Sequence, residues 1–394
     1  MFYQLPPVGN PVRLSCENPP EDLTKVFGGT YQPNYFASGT AALAAAISVA
    51  IRLKAIDEPE VILPAYGCPD LISAAIFAGA KPVLVDLEAD RPWMNLEQLS
   101  AKLNEKTVAI IAVNLFGISE RLEQLRPLAE KEGALLIEDS AQAFPSGGEN
   151  NIWQGDLVVL SFGRGKPVSL LGGGAVLHDT GNSRADELTR LLSEGNSRSE
   201  RSRKSRIAFW LKAKLYNGMI SPRLYWLPQS LPFLHLGETR FHPLKSLEGI
   251  DPLRLSMLAS NVKAYQHDSM TTQNKLYEML GQSDLSHSDI TDLSRSCENT
   301  KERRLLRYPL LVGKAIRDQL YSELQRYGLG VSRMYPTILP EISGLEALQQ
   351  QGEFPEASSF AKRLLTLPTH SQVSQMDIDK MCQIISADSG NKRL

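Results

Sequence analysis

A chain of 394 residues with 42% hydrophobic content is long enough for two or three domains and a large core. Its 42 Lys and Arg nearly balance 44 Asp and Glu, for a formal charge of −2, which argues against a general nucleic-acid binder. No apolar run approaches the roughly 20 residues of a membrane span. The four cysteines, Cys16, Cys68, Cys297 and Cys382, and the six histidines are scattered without metal-ligand spacing. No metal site is expected, and the cysteine usage fits a reducing cytoplasm. The first residues, Met1 to Pro7, lack the basic and apolar regions of a signal peptide, so a cytoplasmic location is the expectation.

Residues 1–33 are rich in proline and glycine and read as an irregular arm. Asn34-Tyr35-Phe36-Ala37-Ser38-Gly39-Thr40 then runs into an alanine-rich helix to about Lys54. Ser38 or Thr40 can simply cap this helix. The N–H groups of a helix start can equally bind phosphate. Residues 61–64 read as a strand, 70–78 as a helix, and 83–86 and 108–113 as further strands. Residues 122–133 form an amphipathic helix with Leu122, Leu125, Leu128 and Ala129 on one face. Strands alternating with helices imply βαβ units and a mostly parallel sheet.

The stretch 138–174 carries the chemistry. The apolar runs 134–137 and 157–160 look like buried strands, and each delivers polar side chains at its C-terminal end, where α/β sheets place their sites. Glu138-Asp139-Ser140-Ala141-Gln142 follows the first run, and Ser161 ends the second. Lys166 stands a short loop later, ahead of Gly172-Gly173-Gly174. Separately, an Asp-Ser turn and a loop lysine are commonplace. Together they supply the parts of a pyridoxal phosphate site: an amine for a Schiff base, a carboxylate for the pyridine nitrogen, and small donors for phosphate.

On these motifs the chain resembles the DegT/DnrJ/EryC1/StrS aminotransferases from about residue 35 to 385, with a weak stretch at 195–260. The resemblance implies an α/β fold of the pyridoxal phosphate fold-type I. That fold has a large domain with a mostly parallel seven-stranded sheet sandwiched by helices, and a small C-terminal α+β domain. The expected divisions are an arm at 1–33, a large domain at 34–250 and the rest at 251–394. By the same resemblance, Lys166 is the catalytic lysine, Asp139 pairs with the pyridinium nitrogen and Gln142 lies near the ring hydroxyl. Gly39, Thr40 and Ser161 bind the cofactor phosphate. The implied reaction moves an amino group from an amino acid, glutamate by family habit, to a nucleotide-linked keto-sugar, in a homodimer.

The chain departs from the family in several places. Where members offer a threonine and then a ring-stacking aromatic, it has Gly67 and Cys68, leaving Cys68 or Tyr66 to cover the ring. Pro167 and Gly172 replace an asparagine and an acidic residue, and Ile338-Leu339 stand near the place of a histidine that follows Tyr335-Pro336. These changes keep two rivals in view: another pyridoxal phosphate reaction such as dehydration, and a retired sugar-nucleotide-binding scaffold. The retained lysine argues against the dehydratases, which carry histidine there.

Residues 195–245 read as an insertion. Arg198, Arg201, Arg203, Lys204 and Arg206 precede an aromatic helical stretch, and residues 198–216 could make a weak contact with an anionic membrane or form a solvated loop and packed helix. Arginines would also suit a phosphate-rich substrate. Beyond them, 253–279 reads as one helix, 282–300 as a polar loop, 307–312 as a strand and 315–327 as a helix ending at Gly328. His370, after the apolar 364–367, is a substrate-side or packed histidine.

Overall fold

The computed structural model describes residues 3–15, 27, 29–146, 153–194, 203–231, 237–282, 289–297 and 303–390. Cys16, Arg198, Arg201 and, of the expected polar loop at 282–300, residues 283–288 and 298–300 lie outside them. The larger sheet has seven strands: β1 (Tyr31–Phe36), β2 (Glu60–Pro64), β3 (Lys81–Val85), β4 (Thr107–Val113), β5 (Leu135–Asp139), β6 (Leu157–Ser161) and β7 (Gly174–Asp179). Their order is β1-β7-β6-β5-β4-β2-β3, and β7 alone runs against the others. Strands β2 and β4 are buried at every residue, as expected when helices cover both faces of a parallel sheet.

Helices α1 (Gly39–Lys54), α2 (Asp70–Ala78), α3 (Leu96–Lys102), α4 (Leu122–Lys131) and α5 (Ala185–Glu194) form the covering layers. The alanine-rich α1 lies along the sheet with nine buried residues, because small side chains let helix and sheet approach closely. One sequence expectation needs correcting here. The arm does not stay irregular to residue 33, since Tyr31-Gln32-Pro33 already belongs to β1, on the sheet edge where a proline is tolerated. The arm proper is also well placed: Leu5, Val8 and Val12 are buried.

Then come α6 (Arg203–Met219), α7 (Trp226–Gln229), α8 (Pro252–His267) and α9 (Thr271–Gln282). The single helix expected over 253–279 is two helices, broken at Asp268, whose carboxylate is drawn to Arg304 at 2.6 Å. Helix α8 buries Met257, Leu258 and Val262 with Val158, Leu160 and Ala175 of the large sheet. We therefore propose that the smaller unit begins after His267, not at 251.

That unit holds β8 (Ile290–Asp292), α10 (Leu293–Ser296), β9 (Arg307–Val312), α11 (Lys314–Arg326), α12 (Pro355–Arg363), β10 (Leu364–Pro368) and α13 (Gln375–Gly390). Its antiparallel sheet has the order β10-β9-β8. Strand β8 falls within the stretch read from sequence as a polar loop. Among the described residues, no helix is long and apolar enough to cross a membrane.

Candidate active site

The C-terminal ends of β4, β5 and β6 and the start of α1 surround a cavity of about 270 Å³. All seven residues singled out from the sequence line it: Gly39, Thr40, Cys68, Asp139, Gln142, Ser161 and Lys166. Positions 39 to 166 thus meet in one space because parallel strands put their C-terminal loops on one edge.

Strand geometry separates the two acids of β5. Successive side chains point to opposite faces, so Glu138 and Asp139 do different work. Glu138 accepts from Asn114 Nδ2 (2.9 Å), Gln154 N–H (2.8 Å) and Gly155 N–H (3.0 Å), tying β5 to the turn before β6. Asp139 faces the cavity. Its Oδ1 accepts the Ala141 N–H at 2.9 Å, and its other oxygen accepts no hydrogen bond among the described residues. Burial raises the Asp139 carboxyl above its ordinary range, while the Ala141 N–H and the charge of Lys166 pull it back.

Lys166 follows Gly165, whose φ of +68° lies in the left-handed region that favours glycine. Asn10 of the arm donates to the carbonyls of Lys166 (3.2 Å) and Pro167 (3.1 Å), which pins the lysine loop. On the opposite wall, Ser38 caps α1 by accepting the Ala41 N–H at 3.0 Å. Thr40 is therefore not the cap; its hydroxyl donates to Asp70 Oδ2 at 2.9 Å. A Cβ on Gly39 would stand 2.6 Å from Ser161 Cβ and 2.7 Å from its Oγ. Gly39 thus lets the positive end of α1 close on Ser161, forming a cradle suited to an anion.

Cys68 lines the cavity, whereas Tyr66 is turned away into the core. Tyr66 packs edge-on against Phe360, with centroids 5.1 Å apart, and its hydroxyl donates to the Met334 carbonyl. Burial pushes the Cys68 thiol up to about 12, beside the Tyr335 hydroxyl. Gln142 Oε1 accepts the Phe116 N–H at 3.2 Å, and its Nε2 reaches towards Tyr335 at 3.4 Å.

The sequence did not single out several residues that meet the site. Asp70, Asn114 and Arg164 line the cavity, and Asn10 reaches the lysine loop from 156 residues away. Arg254 also bears on it: a Cβ at Gly172 would stand 3.3 Å from its Nε. Arg254 pairs with Asp251, and its Nε donates to the Leu170 carbonyl at 3.0 Å. His370 is buried away from the cavity, its Nε2 donating to the Pro6 carbonyl at 2.9 Å.

Comparison with known proteins gives a consistent picture. A model of the DegT/DnrJ/EryC1/StrS aminotransferase family matches residues 27–217 and 262–386. GDP-perosamine synthase of Vibrio cholerae is 30% identical over 161 residues, 40% of this chain and 43% of that protein, so the match spans less than half of the relative. A DegT DnrJ EryC1 StrS aminotransferase from Brucella abortus superposes with a TM-score of 0.66 at 23% identity, over 93% of this chain and 88% of that one. DesI, crystallised in the presence of its TDP-sugar product, gives a TM-score of 0.70 at 19% identity, over 100% and 94% of the two chains. At these identities the solved structures speak for the fold.

Proposed function

The chain belongs to the DegT/DnrJ/EryC1/StrS aminotransferase family, a family of pyridoxal phosphate enzymes of fold-type I, and we propose that it aminates a nucleotide-linked keto-sugar with glutamate as donor, as a homodimer. The observation that carries this reading is the meeting of Lys166, Asp139 and Ser161 around one cavity. Relatives support the substrate class. Those similar over part of their length include GDP-perosamine synthase and UDP-2-acetamido-2-deoxy-3-oxo-D-glucuronate aminotransferase.

The residues present fit the cofactor. The cradle between Gly39 and Ser161, which a Cβ would fill, suits a phosphate at a helix start. The Asp139 oxygen without a donor among the described residues is an acceptor for a protonated ring nitrogen, and Lys166 offers a primary amine on the same cavity. When bound, pyridoxal phosphate supplies a carbonyl that captures an amino group and a ring that takes up the electron pair released at carbon.

The chain's own groups do the rest. Lys166 Nζ anchors the group, then takes a proton from the donor's α-carbon and returns one when the keto-sugar is aminated. The Asp139 carboxylate keeps a proton on the ring nitrogen, and a buried carboxylate does so more strongly than one in water. The Ser161 hydroxyl, with the backbone N–H groups of Gly39 and Thr40 at the start of α1, would hold the phosphate. Cys68 covers the ring with a soft apolar surface, and Gln142 stands near the ring hydroxyl.

Incubation with labelled glutamate and a panel of nucleotide keto-sugars tests the proposal. Label in an amino-sugar nucleotide together with 2-oxoglutarate is the expected result. A protein that takes up cofactor yet eliminates water from the sugar would support the dehydratase. A protein that takes up none would support the scaffold.

A further inference from the structure

We propose that the outer face of α6, continued by residues 224–231, rests on an anionic lipid surface. Of the eight large hydrophobic side chains exposed among the described residues, six fall between positions 207 and 231. Ile207, Leu211 and Leu215 are 64 to 66% exposed, and Leu224, Leu227 and Leu231 are 38 to 44% exposed. Residues four apart share a helix face, so the first three form one outward stripe along α6.

The helix is not loosely placed. Its opposite face buries Phe209 and Ala213, with the Arg254 guanidinium 4.8 Å from the Phe209 ring. Asn217 accepts the Val12 N–H and donates to the Val12 carbonyl, both at 2.8 Å. A helix held so firmly on one side presents its leucines to the outside as a fixed feature.

Charge identifies the occupant. Residues 203–231 contain Arg203, Lys204, Arg206, Lys212, Lys214 and Arg223 but no Asp or Glu. Arg206, Lys212, Lys214 and Arg223 have exposed side chains around the apolar stripe. A two-fold contact sets a patch against itself, so a second copy here would bring like charges together. An anionic bilayer meets both features at once, taking apolar side chains into the headgroup boundary and cations at the phosphates. Tyr225 and Trp226 are half-buried within the 224–231 segment, and such amphipathic rings suit a membrane interface. Tyr216 lies against Gly165 and Ser169, next to Lys166. Tyr216 is on the inner face of α6, so docking through the outer face sets the catalytic loop about one helix diameter, ~10 Å, from the membrane surface.

Flotation of the full-length protein with phosphatidylcholine vesicles, with and without phosphatidylglycerol, tests the proposal. The expected result is binding to the anionic vesicles alone, reversed by high salt. The double variant Leu211→Glu/Leu215→Glu should lose binding while keeping cofactor affinity. Lys212→Gln/Lys214→Gln should weaken binding about fivefold per charge, equivalent to the roughly 1 kcal/mol of a cation near an anionic surface. The Lys pair serves as the readout should the Glu variant fail to fold. No binding to anionic vesicles, or binding that neither pair reduces, overturns the proposal. A native dimer that becomes monomeric in the Glu variant assigns the face to a second copy, and retention on polyglutamate without vesicle binding assigns it to an acidic protein. Either result also overturns the proposal.

Discussion

Replacing Asp139 by Asn separates a cofactor residue from a turn residue. The amide is isosteric, and its Oδ1 can still accept the Ala141 N–H that Asp139 accepts at 2.9 Å. What it loses is charge. Burial raises the carboxyl's folded-state value, so the folded protein binds the Asp139 proton more tightly than the unfolded chain. For a carboxyl shifted this way, stability falls as pH rises from the unfolded value of about 3.9 through the folded one. The Asn variant escapes that loss, and the apoprotein should melt at the same temperature as wild type or higher at neutral pH. Cofactor binding should move the other way. A hydrogen bond to a charged group contributes about 1.5–3 kcal/mol, which is roughly a 10- to 150-fold rise in Kd. Pyridoxal phosphate titration of both apoproteins, followed by absorbance, measures it, and melting curves of the same samples measure stability. A Kd within about twofold of wild type, or an apoprotein several degrees less stable, would refute the assignment.

Four further outcomes are expected. Borohydride reduction of cofactor-loaded protein should place the covalent adduct on Lys166 by peptide mapping. Cys68→Phe should tighten cofactor binding roughly two- to twelvefold, from the about 0.5–1.5 kcal/mol of an aromatic contact, as read by titration. Tyr66→Ala should instead cost about 3–5 kcal/mol of stability in denaturant unfolding, as truncation of a large buried aromatic does, because Tyr66 packs on Phe360 away from the cavity. Burial lowers His370 to about 4 from an ordinary 6.5, so its neutral form stabilises the fold above pH 6.5. That contribution, about 3 kcal/mol, should drain away as pH falls from 6.5 towards 4. His370→Gln should flatten this part of the stability profile.

Local patterns in the sequence located most of the large sheet and the cavity. The bounds expected for α1 and α2 match the observed helices, and apolar runs marked β2, β4, β5 and β6. What stayed hidden depends on distant partners. No glycine or proline marks the break between α8 and α9, where Asp268 accepts the Ser269 N–H and pairs with Arg304, 36 residues on. Strand β1 carries Pro33, which counts against a strand until its edge position is known. Asn10 looks like any loop residue until the arm folds back onto the lysine loop. The stacking question also needed coordinates, because Tyr66 and Cys68 are two apart and only packing decides which one lines the cavity.

The departures at 68, 167 and 172 bear differently on the scaffold reading once their surroundings are known. Each altered position is packed against a group of this chain. Arg254 occupies the space beside Gly172, anchored by Asp251 and the Leu170 carbonyl. Asn10 supplies an amide at the carbonyls of Lys166 and Pro167. Tyr335 stands against Cys68. Asp139 makes the contrast clear. Its neighbour Glu138 accepts several hydrogen bonds and so helps hold the fold, whereas Asp139 accepts one and keeps a desolvated oxygen on the cavity. A turn at this place would be served as well by Asn or Ser without the cost of burying a charge. Within this chain the Ala141 N–H and the charge of Lys166 offset that cost in part, and a protonated ring nitrogen on the remaining oxygen is the further partner we propose.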